Sequence, residues 1–154
     1  MLQEDAKNIT DVSPMHVDWV KENIGGKLAD EIRLTKQFMK ANGCYGAETY
    51  IGGFSGYLAE LLVIHYGGFR NFIKSAANWR HGGVISISEN RFLSEQKFSL
   101  VVIDPVQPNR NAAAAVRHEK FDFFVEVCKK FAAKPNDRFF KEKKVGLKKY
   151  DLVF

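Results

Sequence analysis

The sequence predicts a mainly helical bundle carrying a small β-element, on three observations. Residues 54–66 are apolar nearly all round and lie between glycine pairs, which marks a buried central helix. Three other stretches repeat apolar residues at the spacing of amphipathic helices. Only two short runs, 84–87 and 98–103, are β-branched and apolar in the manner of strands.

Residues 1–12 read as an irregular lead-in. Ser13-Pro14 then starts a helix, with Ser as cap and Pro at the first helical position, where its missing N–H costs nothing. That helix is expected over 14–23, ending before Gly25-Gly26. A second, over 27–42, carries Leu28, Ile32, Thr35 and Met39 on one side and is stopped by Gly43. Residues 44–53 read as a loop or short extended segment. The central helix follows at 54–66, and a fourth at 69–79 with Phe69, Phe72, Ile73 and Ala76 on one face. After the two strands, Asp104-Pro105 and Pro108 mark turns. A short helix is expected over 111–116. A longer one, over 118–133, has Phe121, Phe124, Val125, Cys128 and Phe131 as its stripe. Beyond Pro135 the chain is basic and sparse in order signals.

The 154 residues suit one compact domain, expected over 13–134, with 135–154 as a basic tail. No apolar run reaches the roughly 18 residues of a membrane span, and MLQEDAKNIT lacks the basic and apolar regions of a secretory signal. Cys44 and Cys128 stand alone and the four His residues miss zinc spacing, so a reduced, cytoplasmic setting without a metal site is expected. The net charge is +5, yet Lys129 to Lys149 alone holds nine Lys/Arg against two acids. That run suits either a solvated tail or a surface for RNA phosphates.

Arg33, Lys36 and Lys40 fall at i, i+3 and i+7 on one helical face. An ordinary solvated face explains the spacing, and so does a cationic rail for a polyphosphate or RNA backbone. Gly52 to Tyr57 opens the central helix with small residues, which admit either another backbone or an anion at the helix start. Arg110 follows a strand exit, as a surface residue or as a planar group for a base. His16 and Tyr45 have equally plain readings, a His in a first helical turn and an aromatic packing after a helix stop.

Four stretches, in order along the chain, carry a family resemblance. Residues 13–16 (SPMH), 33–48 (RLTKQFMKANGCYGAE), 53–62 (GFSGYLAELL), and Asp104-Pro105-Val106 with Arg110-Asn111 resemble signature stretches of archaeal-type CCA-adding tRNA nucleotidyltransferases. The similarity runs over about residues 11–140. It implies the helical substrate-binding domain of the poly(A) polymerase and oligoadenylate synthase type. It also implies a part in adding C, C and A to tRNA 3′ ends from CTP and ATP with Mg2+. By family matching, His16, Lys36 and Tyr45 contact the triphosphate, Arg110 reads the incoming base, and Arg33 and Lys40 are candidate phosphate or RNA contacts.

The chain departs from the family pattern in its acids. Two-metal phosphoryl chemistry needs carboxylates in pairs, and here no two acids stand at i, i+2 and no Gly-Ser dipeptide occurs. Met15 and Val12 replace a Phe and an Arg of the pattern. The expectation is therefore a central domain or split subunit, with no catalytic residue of its own. A nucleotidyltransferase catalytic domain would lie upstream or on a separate chain, with tRNA, ATP and CTP as partners, and the chain alone would be inactive. The alternative is a non-catalytic RNA- or nucleotide-binding module derived from the family.

Overall fold

The computed structural model describes residues 14–87 and 98–142. The Ser13 cap, the lead-in and the tail beyond residue 142 lie outside the described residues. Helix α1 (Pro14–Ala41) is two segments joined at Gly25, whose φ of 62° and ψ of 173° are not helical. The break falls where Gly25-Gly26 predicted it. Such a conformation suits glycine, which has no Cβ to clash. The bend shortens the path between the two ends of α1. On one straight helix, rising about 1.5 Å per residue, His16 and Lys36 would stand about 30 Å apart.

Helix α2 (Gly56–Tyr66) is the buried centre. Leu58, Ala59, Leu61, Leu62 and Val63 are fully buried, as the all-round apolar sequence requires. The helix begins later than its apolar run. Ser55 caps it, the hydroxyl accepting from the Leu58 amide at 3.1 Å, while Phe54 is buried ahead of the cap. Gly67, at φ 79°, ends it with its N–H donated to the Val63 carbonyl. Helix α3 (Phe69–Ala76) turns back at once and packs its Phe69, Phe72, Ile73 face inward.

Strands β1 (Gly83–Ser86) and β2 (Leu100–Ile103) pair in parallel, with Gly83 opposite Leu100 and Ser86 opposite Ile103. The helix expected over 111–116 does not form. Asn111 instead bridges back to Ile103. Its buried side chain accepts from the Val102 and Ala113 amides and donates to the Leu100 carbonyl. A side chain that serves the backbone this way competes with a helix, and the run of alanines falls into turns. Helix α4 (His118–Ala133) then packs on α3.

The start of the basic stretch is more ordered than its composition predicts. A 3₁₀ turn, Asp137–Phe140, lies against α1. The Phe38 ring, fully buried, meets Phe139 at 6.2 Å and Phe140 at 5.6 Å between centroids, besides Phe69, Phe124 and Phe131. Gln37 and Asn42 donate to the carbonyls of Phe140 and Phe139. Both cysteines are buried, and burial pushes the Cys44 thiol up to about 12, so it stays protonated at neutral pH. Among the described residues no helix is long and apolar enough to cross a membrane.

Candidate nucleotide-binding cleft

A cleft of about 510 Å³ opens between the first segment of α1, the 44–54 loop and the start of α2. Its walls bring together His16, Lys36, Tyr45 and Arg110, which lie far apart in the sequence. The kink at Gly25 lets both halves of α1 contribute.

The loop sets Tyr45 by backbone pairing. The Gly46 amide donates to the Phe54 carbonyl and the Phe54 amide to that of Cys44, each at 2.7 Å. Only glycine fits at position 53, since a Cβ there would lie 2.2 Å from the Cys44 carbonyl oxygen. Gly56 serves the side chains instead. A Cβ on it would meet the Tyr45 hydroxyl at 2.7 Å and the Lys36 ammonium at 3.6 Å. The phenol, the ammonium and the first turn of α2 therefore share one small volume. Lys36 Nζ donates to Glu60 Oε2 at 3.0 Å, with both side chains about a quarter exposed. A helix start, an ammonium and a hydroxyl so placed favour an anion.

Behind Arg110 and Tyr57, Asp104 is fully buried, accepts four hydrogen bonds and meets His16 in an ion-pair contact. Its Oδ1 takes the Tyr57 hydroxyl at 2.9 Å and the amides of Val106 and Gln107 at 2.8 and 3.2 Å. Its Oδ2 takes Arg110 Nη1 at 3.0 Å and lies 3.1 Å from His16 Nε2. Burial alone raises this carboxyl's pKa, but the bonds from His16, the Val106 amide and Tyr57 outweigh it and hold the group below its ordinary 3.8. Burial first, then the Asp104 charge, push the Tyr57 phenol far above its usual range. Tyr57 also stacks on the His16 ring at 4.3 Å.

The expected site residues thus separate into groups. Lys36, Tyr45 and Arg110 present polar groups to the cleft. His16 lines it but is only 1% exposed, and its imidazole is committed to Asp104 and Tyr57, so it supports the wall and offers no ring nitrogen to solvent. Arg33 does not converge with the others. It sits about one turn before Lys36, is exposed, and folds back on Asp30. Lys40 is exposed and lies over the Tyr45 ring at 5.0 Å from its centroid.

Sequence reasoning read Asp104 only as a turn residue and gave Tyr57 and Glu60 no site role of their own. Glu60 had a readable signal as the one acid in an otherwise apolar helix. Asp104 had a weaker one, an acid closing a buried strand. Among the described residues no group of three His, Cys, Asp or Glu side chains is placed to hold a metal ion. The donors here suit a bound polyanion, and they do not fit a divalent cation.

The chain matches the family described as tRNA nucleotidyltransferase, second domain, over residues 30–141. It is 46% identical over 134 residues to the CCA-adding enzyme of Methanosarcina barkeri, covering 87% of this chain and 29% of that protein. With the CCA-adding enzyme of Archaeoglobus fulgidus the identity is 40% over 140 residues, 91% of this chain and 31% of that protein. With that of Pyrobaculum neutrophilum it is 40% over 148 residues, 94% and 35%. The chain spans about a third or less of the length of these relatives.

Proposed function

Because the chain belongs to the family of tRNA nucleotidyltransferase second domains, we propose that it is the central, substrate-side domain of a CCA-adding enzyme. The cleft takes the triphosphate of CTP or ATP on the Lys36 and Tyr45 wall and the base on the Arg110 wall. The observation that carries this is the meeting of Lys36, Tyr45 and the start of α2 in one volume, with Arg110 lining the same cleft. The Lys36–Glu60 pair lets a phosphate oxygen replace a carboxylate oxygen without stranding the ammonium. Arg110 has one guanidinium nitrogen on Asp104 and, among the described residues, its other donors left for a planar acceptor edge.

The nucleotidyl transfer itself would use Mg2+ held by carboxylates of a catalytic domain, in the same polypeptide or another. This chain's residues bind and orient. The tRNA is the expected macromolecular partner, drawn by basic groups such as Lys129, Lys130 and Lys134, and the setting is the cytoplasm.

Calorimetric titration of the chain with CTP, ATP and inorganic tripolyphosphate tests the assignment of the walls. Lys36→Ala should weaken all three about fivefold to tenfold, the roughly 1 kcal/mol of a partly exposed ion contact. Arg110→Ala should weaken the nucleotides and spare tripolyphosphate. Unchanged tripolyphosphate affinity in Lys36→Ala would show that the triphosphate lies elsewhere.

A further inference from the structure

Asp104 divides its bonds by oxygen. Among the described residues, Oδ1 accepts from its own turn and from Tyr57, which makes it the oxygen that shapes the loop after β2. Oδ2 faces the two cleft residues Arg110 and His16. We infer that Asp104 is a positioning residue for base selection: its Oδ2 fixes the Arg110 guanidinium at one tilt against the cleft, so that the donors left over meet only bases with acceptors at matching places. The inference rests on the proposed base-reading role of Arg110.

Three features support a fixed group over a loosely paired one. The carboxylate is wholly buried while the Arg110 side chain keeps 20% exposure, so the anchor is dry and only the far edge is wet. The Arg110 backbone is held as well, its carbonyl accepting from the Asp104 amide and its amide donating to the Gln107 carbonyl. The carboxylate is itself immobilised from the other side by Tyr57, which is buried in α2 and stacks on His16. Three elements therefore converge on the two oxygens, and the guanidinium has little freedom to rotate. Planar hydrogen-bonding groups discriminate only when their orientation is set in advance.

The split between oxygens supplies a selective variant. In Asp104→Asn the amide oxygen can keep the three Oδ1 bonds, while the NH2 faces the Arg110 donors and repels them. The loop keeps its turn and the guanidinium loses its anchor. Two measurements read the difference. In arginine side-chain NMR of the chain, the Arg110 guanidinium protons should give separate, slowly rotating signals in the wild type and one averaged signal in Asp104→Asn. In the enzyme assembled from this chain and a nucleotidyltransferase catalytic domain, the ratio of kcat/KM for CTP over UTP should fall about 10²-fold, the scale of a small misplacement at a reacting site. Adding Arg110→Ala to Asp104→Asn should cause no further loss.

A guanidinium that stays rigid in a folded Asp104→Asn overturns the inference. So does a CTP-over-UTP ratio that changes in Arg110→Ala and not in Asp104→Asn. A ratio unchanged in Arg110→Ala overturns instead the base-reading role on which the inference rests. If Asp104→Asn does not fold, Asp104→Glu decides: it keeps the charge and displaces the carboxylate oxygens by one methylene, so wild-type discrimination and a wild-type Arg110 guanidinium spectrum in that variant contradict the inference.

Discussion

At the scale of single residues, Asp104 shows how one buried charge can hold a site. Removing a buried partner leaves others unpaired, so Asp104→Ala should cost about 3–5 kcal/mol in urea unfolding, well above a surface change. Its pH dependence has a definite sign. A carboxyl whose pKa is lower in the folded than in the unfolded state stabilises the fold above the unfolded value, and that contribution disappears as pH falls through the folded one. Wild-type stability should therefore decline as pH drops below about 3.8 and through the lower folded value. The stability gap between wild type and Asp104→Ala should close over the same range. A gap that persists there would mean that the carboxylate charge is not what its partners hold.

At the scale of elements, what the sequence made legible was what depends on a single segment. The buried centre of α2 follows from its own apolar residues, and the break in α1 from Gly25 itself. The 111–116 turns and the 3₁₀ turn were not legible, because each depends on a distant partner. Asn111 is drawn to the backbone of β2, and Phe139 and Phe140 are drawn to Phe38, about a hundred residues earlier. The cleft divides in the same way. The cations of α1 could be read from their spacing, while the loss of Arg33 to Asp30 and of His16 to Asp104 came only with the fold. One element-scale prediction concerns the start of α2. Gly56→Ala suits a helix and should leave the thermal transition within a few degrees, since alanine gains up to ~1 kcal/mol in helix propensity. Its Cβ displaces the Tyr45 hydroxyl, so titration should show tripolyphosphate affinity falling while the fold persists. Affinity held at the wild-type level would remove Tyr45 from the triphosphate wall.

At the scale of the whole molecule, the proposed function makes the cleft half of a site. It gathers cations, a phenol and a helix start, and the described residues place no cluster of acids to hold the metal ions of phosphoryl transfer. In the open cleft those charges are partly screened by water. Against a second domain they would act in a drier space, where the same contacts are stronger. The measurement that tests this most directly is incorporation of labelled CMP and AMP into tRNA lacking its 3′ end. The reactions contain this chain alone, a nucleotidyltransferase catalytic domain alone, or both together with Mg2+. A half-site predicts transfer from the pair, none from this chain, and loss of the pair's activity with Lys36→Ala and Arg110→Ala. Transfer by this chain alone, or a pair whose activity is indifferent to both substitutions, would contradict it.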